Sequence, residues 1–225
     1  MLKRRITAYD LPLIIVNLIP VAGVWFFGWE ARSIFIVYAL ETVLIGLFTI
    51  LKLGVVTLVK GKDQWSNNGQ TSQQSGIFFI LFFIAHYGLF VAIQMGLFLS
   101  ISGIGHQDHF GLFGFFQQIP ALLNENTIWV LAAFFVMYGY QFLTGFILNK
   151  AYTQVSMSYL MFQPYGRIFI QQFTVIAGSF FLAFGSGKLF ILIFIAVKLF
   201  FDLRIDYDSL IEKAVKDVAE QSGKQ

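Results

Sequence analysis

The sequence predicts an all-α membrane protein, a polytopic bundle of about six transmembrane helices with both termini on the cytoplasmic side. Three observations predict it. Hydrophobic residues make up 57% of the 225 residues and charged residues only 12%, about half the charged fraction of a soluble domain. Six stretches are apolar for roughly the 20 residues that a helix needs to cross the hydrocarbon core. The Lys and Arg residues between those stretches crowd onto one side.

The first span is read over Leu11–Gly28. The basic start Met1-Leu2-Lys3-Arg4-Arg5 has the look of a signal peptide. The apolar stretch after it is longer than the usual h-region of about 7–15 residues and no small-x-small cleavage site closes it, so it is expected to be retained. Span two is Ser33–Val59, long enough to tilt, and span three is Gly76–Gly103. Span four is Thr127–Leu148, span five Arg167–Phe184 and span six Lys188–Leu203. The last two are short and are joined by Gly185-Ser186-Gly187, so a re-entrant hairpin competes with two full crossings. Lys3, Arg4, Arg5, Lys60, Lys62, Lys150 and Arg167 fall on one side, and only Arg32 and Lys188 on the other. The excess of positive charge marks the cytoplasmic face.

Among the connections, 60–75 is polar, carries Asn67-Asn68-Gly69, and reads as a mobile cytoplasmic loop. The outer connection from His106 to Asn126 mixes aromatic residues with Gly and Pro120 and is expected to lie in the membrane interface. From Asp206 on, Leu210, Ile211, Ala214, Val215 and Val218 recur at helical spacing. The chain therefore divides into one transmembrane helical domain, 1–205, and a short cytoplasmic amphipathic tail, 206–225. No internal repeat is evident, so the inverted halves of many transporters are not visible.

The expected partner is the lipid bilayer, in the cytoplasmic membrane, with a second copy or another membrane subunit as the protein partner left open. Aromatic residues at 18%, 28 of them Phe, suit a surface that faces lipid. A net charge of +3 with no basic stripe argues against nucleic acid. The absence of Cys excludes disulfides, iron–sulfur clusters and thiolate metal sites.

Function has to come from polar residues inside the apolar spans, where an ionisable group is costly and normally faces the bundle interior or water. Asn17 lies in span one, Glu41 and Lys52 in span two, His86 and Gln94 in span three, and Lys198 and Asp202 in span six, with Arg167 at the start of span five. Glu41 and Lys52 share a helix face about 16 Å apart and must find partners elsewhere. Lys198 and Asp202 are spaced i, i+4 and can pair. His86 lies about 15 Å from the cytoplasmic end of its helix, near the midplane. These residues are expected to form one polar cluster in the cytoplasmic half, with His86 deepest and Glu41 beyond it. Each also has a bland explanation: Lys52 as a snorkelling side chain, Lys198–Asp202 as a structural tie, His86 as an interhelical hydrogen bond. Glu41 is the hardest to dismiss, because a deep carboxylate has no cheap structural role.

Gly88, Ala92, Gly96 and Ser100 recur every four residues on span three and mark a face where another helix can approach closely. His106, Asp108 and His109 form a weak candidate for an external metal site; no other metal and no cofactor is expected. Gly185-Ser186-Gly187-Lys188 lacks the first Gly and the Ser or Thr of a phosphate loop, and neither a zinc-protease helix motif nor a nucleophile elbow is present. A single intramembrane His gives no bis-His haem site within the chain.

Asn17-Leu18-Ile19-Pro20 running to Gly28-Trp29, Glu41 with Gly46 and Lys52, His86-Tyr87-Gly88, Pro164-Tyr165-Gly166-Arg167 and Lys198 to Asp202 together resemble an uncharacterised bacterial family of multi-span integral membrane proteins catalogued as a domain of unknown function. The resemblance runs from about Leu11 to Asp206. It implies the polytopic fold and no activity. Where members of that family carry a second His in span three, this chain has Gln94.

Three functions fit. A proton- or ion-coupled transporter would use Glu41, His86, Lys198 and Asp202 as a polar route, since His changes charge near neutral pH. A structural or accessory subunit would use the same residues to hold helices together and the small-residue face to dock. A membrane-embedded enzyme, the least favoured, would rest on Glu41 and His86.

Overall fold

The computed structural model describes residues 11–67, 70–102, 123–166, 168–169 and 187–204. It is mostly helical. The elements are α1 (Leu11–Phe26), α2 (Ala31–Lys60), β1 (Lys62–Asn67), β2 (Gln70–Ser75), α3 (Gly76–Ser102), α4 (Glu125–Gln141), a helix α5 over 157–166, and α6 (Gly187–Arg204). Among the described residues three helical stretches are long and apolar enough to cross a membrane, Ile36–Lys60, Gly76–Gly96 and Glu125–Leu148, and Leu11–Phe26 and Ile191–Phe200 are shorter apolar helices.

Helix α2 is central. It packs against α3 and α4 and touches α6, while α1 lies against α6 and α4. The α2–α3 contact is close because glycines permit it. The Tyr87 ring lies 2.5 Å from where a Cβ on Gly46 would stand, and Thr57 occupies the corresponding place at Gly76. Tyr87 then donates its hydroxyl to the Thr42 carbonyl at 2.6 Å.

Helix ends are closed by local chemistry. At the end of α1, Gly28 takes φ 67° and the Trp29 N–H reaches back to the Gly23 carbonyl at 3.0 Å, which also accepts the Phe27 N–H at 3.1 Å. Helix α4 starts on Asn124, whose side chain accepts from the Thr127 N–H while Thr127 Oγ1 accepts from the Asn124 N–H. The Asn124 amide also reaches Ser33 Oγ at 3.2 Å, tying this cap to the start of α2. Beyond Gln141 the helix loosens into a π-helical segment, Phe142–Leu148, and a turn with Lys150 at φ 51° leads to a 3-10 turn at Ala151–Thr153.

Two features depart from the sequence reading. The segment 60–75, expected as a mobile loop in an all-α chain, contains an antiparallel β-hairpin in register from Lys62↔Ser75 to Asn67↔Gln70. Its base is closed by the Gly76 N–H bonding to the Gly61 carbonyl at 2.8 Å. The hairpin is docked. Asp63 Oδ2 accepts the Met157 N–H at 2.6 Å, Ser158 Oγ donates to the Gln64 carbonyl at 2.9 Å, and Lys60 Nζ donates to the Val155 carbonyl at 2.8 Å. Asp63 thus caps the amino end of α5, where a carboxylate meets free N–H groups and the positive end of the helix dipole. The second departure is α5 itself, a helix in the stretch between the expected spans four and five. Span five from residue 170 on, the outer connection through residue 122 and the tail after Arg204 lie outside the described residues.

Candidate functional site

Among the described residues, a buried polar cluster lies where α1, α2, α4 and α6 converge. Lys198 Nζ is 3.0 Å from Glu41 Oε1. The same ammonium donates to Asn17 Oδ1 at 2.8 Å, and the Tyr138 hydroxyl donates to Glu41 Oε1 at 2.7 Å. All four side chains are buried; Glu41 is 1% exposed and Lys198 5%. Asn17 is oriented from behind, its amide nitrogen donating to the Leu13 carbonyl at 2.8 Å. The Tyr38 hydroxyl donates to the Asn17 carbonyl at 3.2 Å. Lys198 Nζ also lies 5.3 Å from the Tyr38 ring centre and 5.5 Å from that of Phe134, within cation–π range.

Local spacing explains why these groups meet. Tyr38 and Glu41 are three apart on α2, and Phe134 and Tyr138 four apart on α4, so each pair shares a helix face. Glu41 and Lys198 both lie roughly 15 Å along their helices from the amino-terminal ends. The ion pair is a tertiary contact that neither helix could make alone. Two charges withdrawn from water cost several kcal/mol each, and their attraction offsets this only with good geometry and further hydrogen bonds. Asn17 and Tyr138 supply such bonds here.

The remaining residues singled out by sequence are scattered. Lys52 is half-buried, its ammonium 5.8 Å from the centre of the Phe146 ring. His86 is not deepest in a shared cluster with Glu41. It stands exposed on the side of α3, with Nδ1 2.6 Å from the Tyr165 hydroxyl. Gln94 is fully buried, and neither its amide nitrogen nor its oxygen has a hydrogen-bond partner among the described residues. In the small-residue stripe, Ala92 is buried, whereas Gly88 and Gly96 are exposed and a Cβ on either would meet open space. No helix of the described chain packs closely on those two glycines. Arg167, His106, Asp108 and His109, and the side chains of Ser100 and Asp202, lie outside the described residues, so the i, i+4 pairing of Lys198 with Asp202 does too. Among the described residues no three His, Cys, Asp or Glu side chains gather as metal ligands.

Tyr138, Tyr38 and Phe134 were not singled out by sequence reasoning. Aromatic residues are so frequent in this chain that their type carried no signal. Their i, i+3 and i, i+4 placement opposite a buried charge was the available clue.

A family model described as "Family of unknown function (DUF6498)" matches residues 1–222. No curated protein and no solved structure matches the chain.

Proposed function

We propose, from the premise that the chain belongs to this family of unknown function, that it is a multi-pass protein of the cytoplasmic membrane and a proton- or ion-coupled transporter whose coupling centre is the Glu41–Lys198 pair. Residues 1–205 form its helical membrane domain and 206–225 a cytoplasmic tail in this reading, with the bilayer as its principal partner.

The membrane part is supported by the three long apolar helices and by the apolar side chains they leave uncovered, among them Leu58, Trp129 and Val136. A soluble monomer rarely exposes apolar patches on such a scale. The coupling part is carried by one observation, the buried ion pair at the junction of four helices. An apolar replacement of a buried pair is often neutral or stabilising, so stability alone is a weak reason to keep one. A pair whose partners sit on different helices changes its geometry when those helices move, and it is a natural place for ion binding to bias such a movement.

The pair's hydrogen bonds to Asn17 and Tyr138 favour a second reading, a structural tie in an accessory subunit. The open glycines Gly88 and Gly96 would then face another subunit.

Proton uptake by vesicles reconstituted with the protein, driven by a potassium-diffusion potential, separates the two. Transport predicts uptake above that of empty vesicles, lost in Glu41→Gln and not restored when Lys198→Met is added. Normal uptake in the folded double variant would leave the pair with a structural role only. The absence of uptake from wild-type vesicles at every ion gradient tried would remove the transport reading.

A further inference from the structure

We propose that His86, backed by Tyr165, is a lateral binding site for a planar, carbonyl-bearing ring compound dissolved in the membrane, of the quinone class. The inference rests on the membrane reading given above and is independent of the transport reading.

His86 lies roughly 15 Å along α3 from Gly76, inside one of the stretches long and apolar enough to cross a bilayer. Its imidazole is exposed on the side of the bundle. The neighbouring surface is apolar, with Phe82, Leu89, Ile93 and Phe162 all substantially uncovered. One ring nitrogen, Nδ1, is engaged by the Tyr165 hydroxyl at 2.6 Å, which fixes the ring. The other, Nε2, has no hydrogen-bond partner among the described residues. In hydrocarbon an uncovered polar atom is expensive, because no water is there to bond it. Lipid headgroups lie at the membrane edges, far from the midplane. A partner for Nε2 must therefore be soluble in the hydrocarbon core and carry a hydrogen-bonding group of its own.

The surroundings narrow its shape. The Phe82 ring stacks against the imidazole, with centres 5.7 Å apart and planes within 10°. Tyr165 flanks it from the other helix at 5.5 Å. Trp65, carried in from the hairpin, lies 5.5 Å from Phe82 and stacks on Phe162. A flat ring fits this run of aromatic faces. When the Tyr165 hydroxyl donates to Nδ1, Nε2 carries the imidazole proton and donates to an acceptor. A quinone carbonyl at the edge of a flat ring supplies that acceptor, and its apolar tail needs no protein contact.

Trp65 makes the site observable. Decylubiquinone titrated into the full chain in mild detergent should quench tryptophan fluorescence saturably. Trp65→Phe should remove most of that response while equilibrium dialysis still registers binding. His86→Phe, which keeps a ring and loses the hydrogen bond, should weaken binding about 3- to 10-fold. His86→Gln, which retains a donor, should stay within about threefold of the original. The proposal is overturned by non-saturable quenching, by equal affinity in His86→Phe, or by decylbenzene competing as well as the quinone. A His86-dependent change in oligomer mass without any quinone response would also overturn it, and would seat a second copy at this site. Loss of the chain from membranes on alkaline washing would defeat the membrane reading itself; a retained chain that fails to bind defeats only this one.

Discussion

Glu41 and Lys198 stand 157 positions apart in sequence, and their charged atoms lie 3.0 Å apart in the interior of the bundle. The contact joins α2 to α6, two helices with few other contacts between them. Removing one partner leaves the other charge buried without its counter-ion, which costs about 3–5 kcal/mol. Glu41→Leu and Lys198→Met are each expected to destabilise by that amount in reversible thermal or denaturant unfolding in detergent. The double variant should return to within about 1–2 kcal/mol of the original, since apolar replacement of a whole pair is nearly neutral. Additive single effects would mean that the two groups do not interact energetically.

Tyr138 donates to the oxygen of Glu41 that also meets Lys198. Tyr138→Phe keeps the ring against Phe48 and Phe134 and deletes only the hydroxyl. A hydrogen bond to a charged group contributes about 1.5–3 kcal/mol, so that loss of stability is expected. Combined with Glu41→Leu, the substitution should add little, because the hydroxyl's acceptor is already gone. A full additional loss in that background would show that the hydroxyl has a different essential partner.

These residues differ in how far the sequence disclosed them. Asn17, Glu41 and Lys198 are conspicuous as polar groups in apolar stretches, and composition alone makes them candidates. Their pairing was hidden, because the rotation of an apolar helix is set by packing against its neighbours. The i, i+4 spacing offered Asp202 to Lys198 as a local partner, whereas Glu41 lies at matching depth on another helix. His86 looked like part of the same cluster because depth along a helix says nothing about the face it occupies. The hairpin left a partial trace. Asn68-Gly69 between two runs is a strong two-residue hairpin signal, but the runs Lys62–Asn67 and Gln70–Ser75 lack the apolar alternation that marks a half-buried strand. Only Trp65 supplies an apolar anchor. The hairpin's other contacts are tertiary, with α5 through Asp63 and Gln64 and with α3 through Trp65.

The docking of that hairpin turns on Asp63. Its carboxylate caps α5 at Met157 and also accepts the Gln64 N–H at 2.8 Å. Loss of a helix cap costs about 0.5–2 kcal/mol. Asp63→Ala should therefore loosen α5 and the hairpin together, seen as faster hydrogen exchange in 157–166 and 62–75 with α1 and α2 unchanged. Exchange that rises evenly across the chain would argue that the hairpin is no separate unit.

The glycines give a paired test of helix packing. At Gly46 a Cβ would run into the Tyr87 ring, and forced overpacking costs about 1–3 kcal/mol. At Gly88 the same Cβ meets open space, and replacing glycine in a helix recovers about 0.4–1 kcal/mol of conformational entropy. Gly46→Ala is thus expected to destabilise the purified chain and Gly88→Ala to leave it unchanged or slightly more stable. Should Gly88→Ala instead dissociate an oligomer on size-exclusion with light scattering, the exposed stripe of α3 would be a contact between chains.

Gln94 is the interior group with the least evident support. It is fully buried on the face of α3 that carries Tyr87 and Val91, and both its amide atoms lack partners among the described residues. An unsatisfied buried polar group costs about 1–3 kcal/mol, while an apolar side chain of similar size costs nothing of the kind. Gln94→Leu is therefore expected to raise the unfolding free energy by about that amount, with proton uptake in vesicles unaffected. The opposite result would be equally specific. A stability loss of similar size would mean that the amide is bonded in the membrane-embedded protein. A loss of uptake at unchanged stability would place Gln94 on the same polar route as Glu41.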